Sequence, residues 1–424
     1  MQKSHSITEL ELVNRKLDRK VQELNTLFDL GKEFGALLEL DKLVRLLVYS
    51  LMGQVGVNRY VICLSDGPDM RVVASRIDGP PPQGELLSAL ARLKGAMLVE
   101  GMLVKEGADP RPLLAELGLK VIVPVQLKGE GKGLVLLGER LSREPFSPGD
   151  LEFLSSLGTL AMIALDNARL FQETIEKQRL EDELLIAREI QKGLLPSVLP
   201  VVRGFEIAAA NVSSKQVGGD YYDVIPAEGE RYVIAIGDVS GKGTPAALLM
   251  ANLQATIRAL VPLHLTLAEL TGRVNDLMCQ NTGGNKFVTF FWGIIDPAAR
   301  TLTYVNAGHN YPYLVHPDRS FERLEVGGMI LGVMNTTSPY EEEKVALGPG
   351  DVLVLFTDGV SEAMSVDSEE YGEQRLEAVL RQSVHQCAQE VLTAIHQDVL
   401  QHARGAQQSD DITMMVVRAL VGAS

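Results

Sequence analysis

The chain has 424 residues, and at roughly 150 residues per domain that length predicts two or three domains. Acidic residues outnumber basic ones by 55 to 40, a formal charge of −15, which argues against a nucleic-acid binder. The 46% hydrophobic content excludes a disordered chain, and three cysteines far apart in sequence (Cys63, Cys279, Cys387) form neither a disulfide framework nor a metal motif. With no apolar run long enough to span a bilayer and no signal-peptide core, the expected class is a soluble, cytoplasmic, multidomain protein without a membrane span.

Residues 1–30 carry a heptad rhythm, with Ile7, Asn14, Val21 and Phe28 at position a and Leu10, Leu17 and Leu24 at position d. The pattern predicts a coiled-coil helix joining two copies as a homodimer; its alternative is an amphipathic helix packed on its own domain. From 24 to 171 the pattern is mixed α and β. Helical periodicity covers Leu37–Met52, and Arg59–Leu64 and Arg71–Ser75 read as strands about the turn cluster Ser65-Asp66-Gly67-Pro68. Leu86–Leu93 reads as a short helix, and Lys120–Leu127 with Gly133–Leu137 as a hairpin around 128–132. Ser147-Pro148-Gly149-Asp150 then opens a helix, Pro148 suiting its first turn and Asp150 its positive end. Across 166–200 there is no glycine until Gly193, which predicts one long helix ending near Leu195, before Pro196. Its second half carries an apolar stripe, Leu180, Leu184, Ala187, Ile190 and Leu194. Such a helix between two domains reads either as a mechanical relay or as a passive spacer.

From Val201 to 421, short strands and two helical stretches alternate with sharp turns, four of which share a chemical logic. Gly218-Gly219-Asp220-Tyr221-Tyr222-Asp223 precedes a strand ending near Ile225; Tyr232–Ile236 leads into Gly237-Asp238-Val239-Ser240-Gly241-Lys242-Gly243. Asp351–Phe356 leads into Thr357-Asp358-Gly359, and Ser409-Asp410-Asp411-Ile412-Thr413 leads into the strand Met414–Arg418. Each places an aspartate at the end of an apolar strand beside a small residue. A carboxylate there is costly to desolvate unless a cation meets it. Aspartate oxygens are hard ligands that select Mg²⁺ or Mn²⁺ over zinc, and no His/Cys cluster competes. Two such ions about 3.5–4 Å apart can ionise a bridging water and clamp a phosphate under attack.

These motifs carry two family resemblances. Phe146-Ser147-Pro148-Gly149-Asp150-Leu151 followed by Ala161-Met162-Ile163-Ala164-Leu165-Asp166-Asn167-Ala168-Arg169-Leu170 resembles the end of a GAF domain, which implies a small-ligand sensor or dimerisation module over 24–171. Ala187-Arg188-Glu189-Ile190-Gln191, the four aspartate turns and Asn306-Ala307-Gly308-His309-Asn310, in that family's order, resemble the SpoIIE/RsbU-type serine phosphatases over roughly 185–420. These are a bacterial branch of the metal-dependent protein phosphatase (PPM, or protein phosphatase 2C) superfamily. The resemblance implies an α+β chain: coiled-coil helix, α/β GAF domain, long linker helix and a C-terminal α/β/β/α sandwich. It implies hydrolysis of phosphoserine or phosphothreonine on a partner protein, an anti-sigma-factor antagonist, with two Mn²⁺ or Mg²⁺ ions as cofactors. By the same resemblance Asp220 and Asp238 supply metal carboxylates, Asp238 bridging; the Val239 carbonyl is a backbone ligand; Asp358 and Asp410 complete the more exposed side. Asp223 and Asp411 are assigned supporting roles. The alternative is a GAF-containing scaffold whose phosphatase domain is inactive or directed at small molecules.

Two departures stand out. Eukaryotic relatives place a proton-donating His two positions after the bridging aspartate, where this chain has Ser240, and a phosphate-holding Arg shortly before the first aspartate, where only Lys215 is near. His309 reads as a loop-ordering residue, with proton donation as its alternative. Lys242 lacks the phosphate-loop spacing, so its turn reads as a loop into a helix capped by Thr244, with phosphate attraction left open. Glu341-Glu342-Glu343 reads as a solvated turn, Cys279 and Cys387 as packing on helical stretches, and Cys63 as a buried small hydrophobe.

Overall fold

In the computed structural model the described residues are 2–66, 69–102, 109–127, 130–263, 265–282 and 285–422, with side chains described from Val13 on, Asp66 excepted. The heptad side chains of Ile7 and Leu10, and the turn residues Gly67, Pro68, Lys128 and Gly129, lie outside this set. The chain divides into two compact units, Met1–Arg179 and Leu180–Ser424. Among the described residues no helix is long and apolar enough to cross a membrane.

The first unit opens with α1 (Gln2–Gly35) and α2 (Leu40–Ser50), the latter continuing into one π turn, Leu51–Val55. Glu39 is in extended backbone, so α2 starts three residues later than the periodicity from Leu37 suggests. β1 (Tyr60–Asp66), β2 (Asp69–Arg76), α3 (Glu85–Ala91), β3 (Met97–Leu98), α4 (Arg111–Glu116), β4 (Leu119–Leu127), β5 (Glu130–Gly138) and α5 (Pro148–Lys192) follow. The strands form an antiparallel sheet of order β2-β1-β5-β4-β3. Period-two alternation splits its side chains. Ile62, Val123 and Val135 pack under Leu43 and Leu47 of α2 and Leu154 and Leu165 of α5. Val61, Cys63, Ile122 and Leu134 face Leu87 and Leu90 of α3 and Leu114 of α4. Burial pushes the Cys63 thiol up to about 12, as expected for a cysteine that only packs.

Asp150 opens α5 as its position suggests. Its Oδ2 accepts the Ser147 amide at 2.7 Å, and its Oδ1 takes the guanidinium groups of Arg19 (2.9 Å) and Arg140 (3.0 Å). One face of α1 thus belongs to the domain: Phe34 is buried and Leu27 and Leu30 pack beside it. The opposite face is bare. Leu17, Val21, Leu24 and Phe28, the described a and d residues apart from the exposed Asn14, are 51–64% exposed.

In the second unit β6 (Phe205–Val212), β7 (Tyr221–Pro226) and β8 (Tyr232–Val239) precede α6 (Thr244–Leu260) and α7 (Leu267–Thr282). β9 (Val288–Asp296), β10 (Thr301–Ala307), β11 (Tyr313–Val315), β12 (Phe321–Arg323), β13 (Gly327–Gly328), β14 (Glu343–Ala346) and β15 (Val352–Phe356) come next. α8 (Asp358–Ser361), α9 (Glu373–Ser383), α10 (Ala388–Ala403) and β16 (Ile412–Ala419) complete it. One sheet runs β13-β10-β9-β8-β7 with β14 on β10; the other runs β12-β11-β15-β16-β6. Their inner faces share a core of Ile234, Ile236, Phe291 and Tyr304 against Leu314, Leu355, Met415 and Val417. α6 and α7 cover the first sheet through Met250, Leu253 and Val274 on Val233 and Trp292; α9 and α10 cover the second through Leu376, Leu380 and Ile395 on Val354 and Val416. These layers make an α/β/β/α sandwich.

Several local expectations change. The described region after 201 holds four helices of eleven residues or more, not two, α9 and α10 being separate helices divided only by residues 384–387. Cys387 is not inside a helix: it caps α10, its amide donating to Glu390 Oε2 at 3.0 Å. Glu343 leaves the expected turn to begin β14 and accepts the Tyr304 hydroxyl. α5 ends at Lys192, and its expected stripe is kept in part: Leu184, Ala187 and Leu194 are half-buried, whereas Leu180 and Ile190 are exposed.

Candidate active site

The two sheets bring strand ends together at one edge. Asp220 immediately precedes β7, Asp238 is the next-to-last residue of β8, Asp358 follows Thr357 at the end of β15, and Asp410 and Asp411 precede β16. Tyr221 pairs with Gly237 across β7 and β8, and Phe356 with Met414 across β15 and β16, so each sheet delivers its aspartates in register.

Asp220 is buried, its Oδ2 accepting the Thr357 hydroxyl at 2.9 Å and the Thr413 hydroxyl more closely still. Burial, and then the Asp238 charge beside it, hold its carboxyl well above the usual carboxylate range. Asp238 hydrogen-bonds Asp220 and is pushed up to about 7, by burial first and by the Asp358, Asp410 and Asp411 charges after it. Asp358 is raised by burial and by Asp410, a rise that Lys242 moderates. Asp410 Oδ2 lies 2.8 Å from the Lys242 ammonium.

Asp411 turns away from this group. Its Oδ1 accepts the Ser214 amide (2.7 Å) and hydroxyl (3.0 Å), and its Oδ2 the Gly219 amide (2.9 Å), so it moulds the loop that carries Asp220. Asp223 is fully buried and gripped by Arg258 through two bonds of 2.8 and 3.0 Å, with Tyr221 donating to it as well. Both are loop and strand anchors.

As the side chains lie, no trio of acidic, histidine or cysteine residues among those described stands in ligating geometry. In this arrangement Asp220 gives one oxygen, Oδ2, to two threonines, and Asp410 is paired with a lysine. The donor set nevertheless fits a hard divalent cation, being all oxygen with no imidazole or thiol. A Cβ at Gly219 would lie 2.9 Å from the Val239 carbonyl oxygen and 3.4 Å from Asp238 Oδ1, so its missing side chain leaves open the space those two oxygens face.

Three residues read from the sequence take structural places. Ser240 is engaged with Phe287, its hydroxyl accepting the Phe287 amide at 2.9 Å and its amide donating to the Phe287 carbonyl at 2.9 Å. His309 is buried, its Nδ1 3.0 Å from the Thr289 hydroxyl and its amide donating to Asn306 Oδ1 at 2.7 Å; burial lowers its imidazole to about 4, so it is neutral and orders its loop. Thr244 does not cap α6: Gly243 holds that position at φ +77°, a conformation that costs glycine little, and Thr244 is the first helical residue.

One contact had no sequence signal beyond lying in a motif. The Gln191 side-chain amide grips the Gly218 backbone at both ends, Nε2 donating to the carbonyl at 2.7 Å and Oε1 accepting the amide at 3.0 Å. It joins the last turn of α5 to the residue two before Asp220. A cavity of about 400 Å³, lined by Arg188, Gln191, Asn211, Gln216 and Asp220 among others, lies beside this contact.

The double-sheet sandwich thus presents an all-oxygen acidic cluster at one edge. The chain matches the family described as Stage II sporulation protein E (SpoIIE) over residues 228–420 and the GAF domain family over residues 39–167. Phosphoserine phosphatase RsbU of Bacillus subtilis is 30% identical over 246 residues, covering 58% of this chain and 72% of the relative. Protein IcfG of Synechocystis sp. is 30% identical over 262 residues, 55% of this chain but only 41% of the relative's length. Among solved structures, the SiaA-PP2C domain of Pseudomonas aeruginosa is 23% identical with a TM-score of 0.49, over 57% of this chain and 98% of that one. The chain belongs to the SpoIIE family of PP2C-type serine/threonine phosphatases, and it carries a GAF domain ahead of the phosphatase domain. Phosphatases of this type use Mg²⁺ or Mn²⁺.

Proposed function

We propose that the chain removes phosphate from phosphoserine on a partner protein, an anti-sigma-factor antagonist, in the cytoplasm. The observation that carries this reading is the gathering of Asp220, Asp238, Asp358 and Asp410 from both sheets into one edge where burial and mutual repulsion raise the carboxyls of the first three. Asp220, Asp238, the Val239 carbonyl, Asp358 and Asp410 would hold two Mg²⁺ or Mn²⁺ ions, Asp238 shared between them. Bound there, such ions supply Lewis-acid polarisation of the phosphoryl oxygens and a water acidic enough to be hydroxide near neutral pH. The chain's own residues orient that donor set: Thr357 and Thr413 aim Asp220, and Asp411 shapes the loop before it. The phosphoserine activity in the name of the relative RsbU supports the substrate class.

Phosphate release by the full chain, from p-nitrophenyl phosphate and from a serine-phosphorylated antagonist protein, tests this. Release should require Mn²⁺ or Mg²⁺ and stop with EDTA. Metal-dependent release from neither substrate would sink the enzyme reading; release from the small ester alone would favour the small-molecule one.

Regulation through the GAF domain, by a small ligand or partner acting along α5, is part of the same proposal. Its support is the Gln191–Gly218 contact, which ties the end of α5 to the Asp220 loop. Dimerisation through α1 is supported by the bare row Leu17, Val21, Leu24 and Phe28, whose side chains each lose roughly 1.5–3 kcal/mol when fully exposed rather than buried. Replacing Leu17, Val21 and Leu24 together by Ser should convert a dimer to a monomer by light scattering. An unchanged dimer mass would assign the contact elsewhere.

A further inference from the structure

Lys242 stands between two glycines in left-handed backbone, Gly241 at φ +93° and Gly243 at φ +77°, in the turn that follows β8. Its ammonium donates to the Ser409 carbonyl at 2.5 Å and lies 2.8 Å from Asp410 Oδ2. Its charge also acts on Asp358, and its side chain remains 40% exposed. A second lysine against this turn, from the segment before β9, has a different role. Lys286 Nζ donates to the Ser240 carbonyl at 3.1 Å, and a Cβ at Gly241 would come within 2.3 Å of it, so Lys286 is packed beneath the turn. Lys215, the cation nearest in sequence before Asp220, is exposed.

An acidic cluster of this density requires a positive neighbour, and with its side chains arranged this way it finds one in Lys242. A divalent ion bound by Asp410 and Asp358 would take over the oxygen that the ammonium now contacts. The lysine, on a two-glycine turn and partly in solvent, is then released beside the place where a phosphate dianion must bind.

We propose that Lys242 is the phosphate-contacting residue of this site, held on Asp410 until metal binds and then donating to the phosphoryl oxygens of substrate and product. The proposal rests on the metal-dependent phosphatase reading above. It supplies the cation that the Arg of eukaryotic relatives provides and this chain lacks. An ammonium is a compact point charge with three donors, so it tolerates rotation of the phosphate better than a fork-shaped guanidinium.

The test uses the full chain as wild type, Lys242→Met and Lys242→Arg. Mn²⁺ binding and the binding of inorganic phosphate to the Mn²⁺-loaded protein are measured by calorimetry, and kcat and KM with p-nitrophenyl phosphate. Lys242→Met should bind Mn²⁺ at least as tightly as wild type, since a competing cation is gone. It should weaken phosphate binding and raise KM about tenfold, with a much smaller fall in kcat, and Lys242→Arg should recover most of both. Unchanged phosphate affinity in Lys242→Met, or equal losses of kcat in both variants at constant KM, would overturn the assignment while wild-type Mn²⁺ binding left the parent reading standing. Failure of the wild type to bind Mn²⁺ would overturn both.

Discussion

Asp238→Ala should lower metal-dependent phosphate release by on the order of a thousandfold or more, with Asp358→Ala close behind. Asp238 occupies the centre of the cluster: it hydrogen-bonds Asp220 and carries the repulsion of Asp358, Asp410 and Asp411. Its removal takes away the carboxylate proposed to be shared between two ions, and two neighbouring acids are held elsewhere. Asp411 is committed to Ser214 and Gly219, and Asp223 to Arg258. The same substitution relieves like-charge repulsion, so the metal-free variant should melt no lower than metal-free wild type. Folding and catalysis should therefore separate. Near-wild-type turnover of either variant at saturating Mn²⁺ would show that the assignment of these carboxylates is wrong.

The second large effect is on stability. The Asp238 carboxyl is pushed up to about 7 in the folded protein from an ordinary value of 3.8, so folding favours its protonated form. The stability this contributes is complete below about 3.8 and is lost as pH rises through 7. At about 1.4 kcal/mol per pH unit, that is a few kcal/mol once shared with Asp220 and reduced by partial exposure. The metal-free protein should accordingly melt about 5–10 °C lower at pH 8 than it would without this repulsion, and millimolar Mn²⁺ or Mg²⁺ should restore the difference. His309 has the opposite sign. Lowered from 6.5 to about 4, it contributes stability above 6.5 that is lost as pH falls through 4. Because His309 contributes equally with and without metal, the gap between metal-loaded and metal-free melting temperatures isolates the acidic cluster. That gap should widen from pH 5 to pH 8 in thermal melts. A gap independent of pH would mean that the carboxylates are not strained by one another.

Much of this site could be read in the sequence because its constraints are local. An aspartate directly after or before an apolar strand, beside glycine or another small residue, is visible at Asp220, Asp238, Asp358 and Asp410 without knowing which strands pair. The GAF strands are likewise visible in continuous apolar runs such as Val121–Val125, buried on both faces. What escaped depends on contacts between distant residues. Nothing around Gln191 indicates that its amide meets Gly218, 27 positions on, nor around Arg258 that it holds Asp223 from 35 positions away. Gly243 rather than Thr244 caps α6 because the turn requires two left-handed residues, a demand set by the path from β8 and not by capping preference. Four long helices stand after 201 where the pattern suggests two helical stretches, and only residues 384–387 separate α9 from α10.

The Gln191 amide also limits how strongly any signal can act through α5. It is a two-point clasp of ordinary neutral hydrogen bonds, together contributing about 1–3 kcal/mol. A signal that only fastens or opens this clasp can change the population of an aligned Asp220 loop by about 5- to 150-fold and no further. Were regulation to run along this route, its range would be set by one glutamine.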